Sequence, residues 1–502
     1  MKSRFPSSTL LAAVLAATTI FGGAGLAAAQ ADSAQIPREQ EKIRSTPSDP
    51  VFKTLVNFDG TNGAGPGLSP IQGTDGNLYG GTGSGGEYGQ GVLFKMTPTG
   101  ALTTIYNFCA ESGCPDGNGG APEVLGTDGN FYGETGFGGA FGDGTLFKFT
   151  EEGELTTLSS FDGTDGSVIK HLVQSSSGKF YGTTSGGGNL GECYGGAGGC
   201  GTVFEMTPSG MLTTLHDFCS LPDCTDGAVP FDALVQGADG NFYGTTWAGG
   251  AANAGTIFQI TPTGTLTTLY TFCVSGYPFC GDGSNPIKLV LGSDGNFYGT
   301  TANGAGNNEG SVFKITPSGT LTTIYSFCAQ IACTDGATPR DGLTLGSDGN
   351  FYSTTYYGGA HNQGTIFQIT SSGVLTTLHS FNGTGGRYPI QHLFQATNGV
   401  FYGITDGDGT SGDGTIFSLS VGLAPFAETV PTSGKVGTKV IILGNKLTGS
   451  TSVTFNGTAA VFEVISTTEI TAAVPTGVAT GAVQVTTPSG TLTSNVNFRV
   501  EP

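Results

Sequence analysis

The chain has 502 residues, of which 88 are glycine, against roughly 7% in average proteins. Only 23 are proline and 37% are hydrophobic, which excludes collagen and plain disorder, because that apolar share can build a core. With 11% charged residues and a net charge of −20, a long charged helix is excluded too, and a nucleic-acid backbone would be repelled.

Lys2 and Arg4 make a positive start, Leu10 to Phe21 an apolar run, and small-x-small sites follow at Ala27-Ala28-Ala29 and Ala29-Gln30-Ala31. That order predicts a signal peptide over 1–31. A membrane helix would need about 20 consecutive apolar residues, and glycines interrupt this run. No cysteine precedes Cys109 and no second spanning stretch follows. The expectation is a secreted protein, extracellular or periplasmic, with no membrane span once the leader is removed and residues 32–50 as a linker.

From residue 51 a short phrase recurs seven times. It reads Asp75-Gly-Asn-Leu-Tyr79, Asp128 to Tyr132, Ser177 to Tyr181, Asp239 to Tyr243, Asp294 to Tyr298, Asp348 to Tyr352 and Asn398 to Tyr402. The tyrosines are spaced by 53, 49, 62, 55, 54 and 50 residues, a period that belongs to blades, solenoids or arrays. Between Asp232 and Phe272 four pieces rich in β-branched and aromatic residues follow one another, as strands require. Asp-Gly joins the first two, a hairpin signal because its turn needs positive φ, and Thr-Pro-Thr-Gly joins the last two. Four antiparallel strands per period is a propeller blade. Seven third strands end at Phe94, Phe147, Phe204, Phe258, Phe313, Phe367 and Phe417, and the Leu-Thr-Thr fourth strand follows only six of them. A match for the missing one stands at Phe52 to Gly60. The fold predicted for 51–421 is therefore an all-β, seven-bladed β-propeller closed by the N-terminal strand, which removes exposed edges. One residue of each Phe-Tyr pair, Phe297 or Tyr298 for example, should point into a blade interface.

Ten cysteines fall into neighbours: Cys109/Cys114, Cys193/Cys200, Cys219/Cys224, Cys273/Cys280 and Cys328/Cys333. Spacing alone does not fix connectivity, but adjacent pairing is the natural arrangement, each loop contributing about 2 kcal/mol. Zinc wants shorter spacings and a second pair, so an oxidising compartment is the better explanation.

The phrases D-G-N-F-Y-G-T-T, G-T-[VIL]-F-K-[IM]-T and L-T-T-[LI]-x-x-F together resemble the GloVer tandem repeats of bacterial exported proteins. The resemblance implies fold and export and brings no catalytic residues. Composition shifts after Ser420. Residues 424–502 show short alternating strands at regular turns, including Val440-Ile-Ile-Leu-Gly444 and Gly481-Ala-Val-Gln-Val-Thr486, which predicts an immunoglobulin-like β-sandwich. The Pro431-Thr-Ser-Gly434 start and Val474 before Pro475 resemble the IPT/TIG branch of that fold. Some such domains bind DNA, but the basic loop residues for it are absent here.

Chemistry has few carriers. The five histidines form no metal pair, and no nucleophile elbow or phosphate loop appears. His171, His216, His379 and His392 read as ordinary strand residues, and only His361 lies in a loop. Asp406, Asp408 and Asp413 space oxygens like the start of a calcium loop, but Phe417 stands where the bidentate Glu belongs, so a plain acidic turn is preferred. No carboxylate pair stands out for glycoside chemistry, and no cofactor is expected.

In such blades the two short turns share one face. The second-to-third-strand loops and the inter-blade connections share the other, where all five cysteine pairs lie. That stapled face also carries Tyr88, Phe137, Phe141, Tyr194, Trp247, Tyr356, Tyr357 and His361. Binding usually lives on such loops. The expected ligand residues are Trp247, Tyr356 and Tyr357, with His361 and Tyr88. The expected function is a non-catalytic interaction protein recognising a glycan or extracellular protein; the alternative is a polysaccharide-active hydrolase or lyase.

Overall fold

The computed structural model describes residues 49–501, apart from 189–192, 194–197, 275 and 277–279. The expected leader, nearly all of the linker and Tyr194 lie outside the described residues.

Between Val51 and Ser420 the chain forms seven antiparallel sheets in succession. Each blade has an inner, a second, a third and an outer strand; in blade 5 these are Ser284–Leu291, Phe297–Asn303, Ser311–Ile315 and Leu321–Ser326. Blades 1 to 6 take all four from one repeat. In blade 7 the outer strand is Val51–Asn57, antiparallel to Thr415–Ser420, with Val51 opposite Ser420 and Asn57 opposite Thr415. Blades 1 and 7 also meet through Gln72, whose Nε2 donates to Thr397 Oγ1 at 3.0 Å and whose Oε1 accepts from Thr397 N–H at 2.8 Å.

The repeated phrase explains the seams between blades. Only one residue of each Phe-Tyr pair was expected at an interface; both are there, Phe297 at 1% and Tyr298 at 0% exposure. The reason is that a blade has a neighbour on each side, so both faces of its second strand are covered. Phe297 packs on Tyr243 of the preceding blade with centroids 4.2 Å apart, and Tyr298 on Phe351 of the next at 4.3 Å. The same pairing occurs at four more seams. Where blade 1 has Leu78 instead of Phe, that leucine clusters with Tyr402. In five blades the turn's aspartate holds its tyrosine: Tyr298 Oη donates to Asp294 Oδ2 at 3.0 Å, while Asn296 donates to the same carboxylate from backbone and side chain. Gly295 sits at φ +78° between them, as the hairpin requires.

The cysteines are bridged between neighbours: Cys109 to Cys114, Cys193 to Cys200, Cys219 to Cys224, Cys273 to Cys280 and Cys328 to Cys333. The stapled connections share an end with the second-to-third-strand loops, which donate to them. Gly139 N–H donates to Cys114 O, Gly250 N–H to Cys224 O and Gly359 N–H to Cys333 O, each at 2.9 Å, and Ala305 N–H donates to Cys280 O at 2.7 Å. Cys280 and its partner Cys273 are buried, packed in one cluster with Tyr243, Ile257, Phe272 and Phe313. A bridged cysteine is small and apolar enough to finish that core at the seam between blades 4 and 5. Cys280 is therefore a core residue as well as a staple, and Cys200 and Cys224 are buried in the same way in the cluster that holds Phe218 and Phe258.

Residues 428–501 form a sandwich. One sheet contains Glu428–Val430, Lys439–Leu443, Phe462–Val464 and Glu469–Ala473, the other Ser452–Phe455, Thr458–Ala459, Val483–Thr487 and Gly490–Thr493, around a core with Ile442, Phe455, Ile470 and Phe498. It rests on the Asp-Gly turn end of the propeller. Thr468 Oγ1 donates to Thr74 O at 2.7 Å, Asn445 Nδ2 to Thr397 Oγ1 at 2.8 Å, and Arg499 to Gln236 Oε1 at 3.0 Å. Ser176 Oγ donates to Glu501 at 2.6 Å, so blades 1, 3, 4 and 7 are all touched. The stapled end is the one this domain leaves uncovered.

Glu428 offers a test of this domain. Its Oε2 has no hydrogen-bond partner among the described residues, and burial pushes its carboxyl up to about 7. A raised folded-state value means the native state holds a proton that the unfolded chain releases above about 4.3. Its contribution is therefore present below that pH and lost as pH rises towards 7. Glu428→Gln should leave melting unchanged at pH 4 and stabilise by up to about 3 kcal/mol at pH 8. Equal effects at both pH values, measured by thermal melting, would refute this.

Candidate functional site

The inner strands are bent at one recurring position. Gly65, Gly119, Val168, Val229, Asn285, Thr338 and Tyr388, one per blade, all adopt φ between +51° and +62°. Most are not glycine, so the conformation is strained and must be held by its surroundings. In six blades the N–H of this residue donates to a loop carbonyl of the preceding blade, as Asn285 does to Ala254 O at 2.8 Å and Gly65 to Asp413 O at 3.0 Å. In five blades a proline follows and packs on a glycine of that same loop. A Cβ on Gly255, itself at φ +95°, would fall 2.5 Å from Pro286. Ladder pairing slips just beyond this point, between Pro286 and Leu289 for instance. The two or three residues released there face the axis of the ring.

Those residues line an axial cavity of about 310 Å³. Its walls include Glu123 and Glu134 of blade 2, Lys170 and His171 of blade 3, Phe231 and Asp232 of blade 4, Arg340 and Asp341 of blade 6, and Gln391 of blade 7. His171 Nδ1 lies 3.4 Å from Glu123 Oε1 and its Nε2 3.4 Å from Asp232 Oδ1. His392 Nδ1 lies 3.8 Å from Asp341 Oδ1, and Lys288 Nζ is 3.4 and 3.5 Å from the two ring nitrogens of His392. The two imidazoles meet edge-on with centroids 5.9 Å apart. The Glu123, Asp341 and Asp232 side chains are only 2%, 3% and 5% exposed.

Burial dominates the electrostatics. It raises the Glu123 carboxyl well above the carboxylate range, with the Glu134 charge adding to the effect. It lifts Glu134 to about 7 against the pull of Lys170, and it raises Asp341 well above normal, with the Asp232 charge reinforcing it. The same desolvation lowers His171 to about 4 despite Asp232, and lowers His392 well below its usual range, helped by Lys288. Protonated Glu123 explains why a 3.4 Å contact does not charge His171. At neutral pH the cavity thus holds carboxyl donors beside neutral imidazoles, a set able to hydrogen-bond hydroxyl groups or to move protons. Both Glu123 oxygens, Glu134 Oε2 and Gln391 Oε1 are buried without a hydrogen-bond partner among the described residues.

Aromatic rings flank the cavity. Phe231 packs on Trp247 with centroids 4.8 Å apart, and Lys170 Nζ sits 5.3 Å over the Phe231 ring. Across the ring, the Arg340 guanidinium lies 4.0 Å from the Tyr356 centroid, and Tyr356 stacks on Tyr388 at 4.9 Å. Tyr357 meets Tyr356 edge-on at 4.7 Å. Of the residues singled out from the sequence, Trp247 and Tyr356 therefore touch cavity side chains, and Tyr357 touches Tyr356. Tyr88 and Phe141 are exposed on loops of blades 1 and 2, Phe137 is exposed at the end of the second strand of blade 2, and His361 is exposed on a loop of blade 6. Asp408 pairs with Arg387 at 3.2 Å. Asp406, Asp408 and Asp413 form no close ligand group. Among the described residues only Cys200, Cys219 and Cys224 do, and their sulfurs are in disulfides.

Two histidine readings need correction. His216 and His379 are strand residues in structural contacts, His216 with Asp226 at 3.1 Å and His379 stacked on Phe52 at 3.8 Å. His171 and His392 instead meet at the axis, because the kink before them turns the inner strand inward. Lys288, Asp232, Asp341 and the two glutamates also escaped notice. A signal existed: the slot after the kink holds Lys170-His171, Phe231-Asp232, Ile287-Lys288, Arg340-Asp341 and Gln391-His392, while the residues around it repeat.

A family model described as the Gloeobacter/Verrucomicrobia repeat matches residues 43–193, 191–281 and 277–462, and an IPT/TIG domain model matches 427–500. No curated protein matches the chain. Among solved structures, it is similar to the surface component PorZ of the type-IX secretion system of Porphyromonas gingivalis, at 14% identity and TM-score 0.44, covering 89% of this chain and 61% of that one. It is also similar to a PQQ-bound aldose sugar dehydrogenase from Streptomyces coelicolor, at 14% identity and TM-score 0.39, covering 75% and 99%. A gluconolactonase from Xanthomonas campestris matches at 12% identity and TM-score 0.37, covering 60% and 89%. At these identities nothing about ligand or reaction passes from them to this chain. The five disulfides suit an oxidising compartment, extracellular or periplasmic.

Proposed function

Because the chain belongs to the Gloeobacter/Verrucomicrobia repeat family and carries an IPT/TIG domain after its repeats, we propose that it is an exported glycan-binding protein whose ligand enters from the stapled face. One observation carries this reading: aromatic faces stand beside a polar axial cavity at the end that the C-terminal domain leaves uncovered. A sugar presents an apolar ring face and a rim of hydroxyls. Aromatic rings match the first, and the buried, unpartnered oxygens of Glu123, Glu134 and Gln391 match the second. The disulfides support export, because such bridges persist in oxidising compartments.

Replacing Trp247 and Tyr356 together by Ala should reduce retention on a cell-wall and plant glycan array at least tenfold, with the folded state retained in melting. If melting falls while glycan retention is untouched, the stapled face is structural and the reading fails.

A hydrolase or lyase is the second reading, favoured by Glu123 held protonated 3.4 Å from a neutral His171. Environments that push two groups apart in this way suit an acid and a base. Release of new reducing ends, abolished by Glu123→Gln, would establish it.

A further inference from the structure

The cations at the axis are the least explained feature of the molecule. The chain carries 18 Lys and Arg against 38 Asp and Glu, yet Lys170 and Arg340 line one cavity and Lys288 stands behind it on His392. Among the described residues none of the three forms an ion pair within 4.0 Å. Lys170 and Arg340 rest on aromatic faces instead, and Lys288 on an imidazole. Four carboxyls share the axis, and none of them lies within ion-pair distance of these cations: burial holds Glu123 and Asp341 protonated, while Glu134 and Asp232 stand apart from Lys170, Lys288 and Arg340. Cations held at the axis of an acidic protein thus lack a direct ion-pair partner. An acidic ligand supplies one, and cations already held in place recognise it with little reorganisation.

We propose that the axial cavity takes a carboxylate-bearing sugar, a uronic acid unit of a glycan, with Lys170 and Arg340 as the charge partners of its carboxylate. The inference rests on the glycan-binding reading and adds the class of sugar. A bare anion would leave most of a 310 Å³ cavity empty. A sugar ring fills that volume, places hydroxyls against Glu123, Asp341 and Gln391, and offers a face to Phe231.

Trp247 is the only tryptophan and packs on Phe231, so its fluorescence reports on the cavity. Titrations of the intact protein should show saturable change with galacturonate, and binding at least tenfold weaker with galactose, acetate and inorganic phosphate. Lys170→Gln and Arg340→Gln, checked for folding by melting, should each weaken galacturonate at least tenfold and leave galactose unaffected. Equal binding of galactose and galacturonate would overturn the acidic-sugar inference and leave the glycan reading standing. Acetate or phosphate binding as well as galacturonate would overturn it in favour of a simple anion site. No response to any sugar here, with glycan-array binding intact, would place the glycan elsewhere and overturn it as well.

Discussion

Removal of Val51–Gly60 will destabilise the protein by more than the loss of any single buried side chain. The segment is the outer strand of blade 7, and its pairing partner lies more than 350 residues away in sequence, from Val51 opposite Ser420 to Asn57 opposite Thr415. Phe58 is fully buried and its N–H donates to Gly414 O at 3.1 Å. Phe52 is stacked on His379 at 3.8 Å and lies 5.3 Å from Phe417. Emptying one buried Phe site alone costs about 3 to 5 kcal/mol. The deletion also leaves Thr415–Ser420 as an unpaired edge, open to pairing with other chains. A large drop in melting temperature with increased aggregation is expected. A deletion mutant as stable as the full chain would show that the ring does not depend on this strand.

The second large effect lies at a blade seam. Phe297→Ala should cost about 3 to 5 kcal/mol, because the ring is 1% exposed and packs on Tyr243. Tyr298→Phe keeps the packing on Phe351 and removes only the hydroxyl that donates to Asp294. That carboxylate keeps Lys314 at 2.8 Å and Asn296 as donors, so about 1 kcal/mol is expected. Chemical denaturation measures both. Neither change should affect glycan retention, and a Phe297→Ala protein that kept its stability but lost binding would contradict the seam assignment.

The difference between these elements and the axial cavity explains what could be read from residues alone. Asp-Gly hairpins, Pro-x-Gly turns and alternating strands are local, and each blade announces itself within about fifty residues. The near-neighbour cysteines are local too, and their bridging follows from short loops; the burial of Cys280 is not, because its neighbours in the core come from two blades. The aromatic pairs at the seams are legible as core, but their two-sided packing emerges only once every blade has two neighbours. The cavity is not local at all. Glu123, His171, Asp232 and Asp341 come from four repeats, and ring geometry alone brings them together. His171 does lie in a strand, whereas His392 lies just past one that ends at Pro389; the left-handed kinks at Val168 and Tyr388, invisible in composition, turn both towards the axis. The docking of the C-terminal sandwich was equally hidden, since contacts such as Thr468 to the Thr74 carbonyl involve residues of no distinctive type.

The central claim is that ligand enters the axial cavity from the stapled face, and a crystal structure with the tightest-binding array glycan tests it most directly. The account predicts a sugar ring in the cavity between the Phe231–Trp247 and Arg340–Tyr356 pairs, within hydrogen-bond reach of Glu123 and Gln391. Sugar bound on the C-terminal sandwich or on the outer blade strands, with only solvent at the axis, would contradict it.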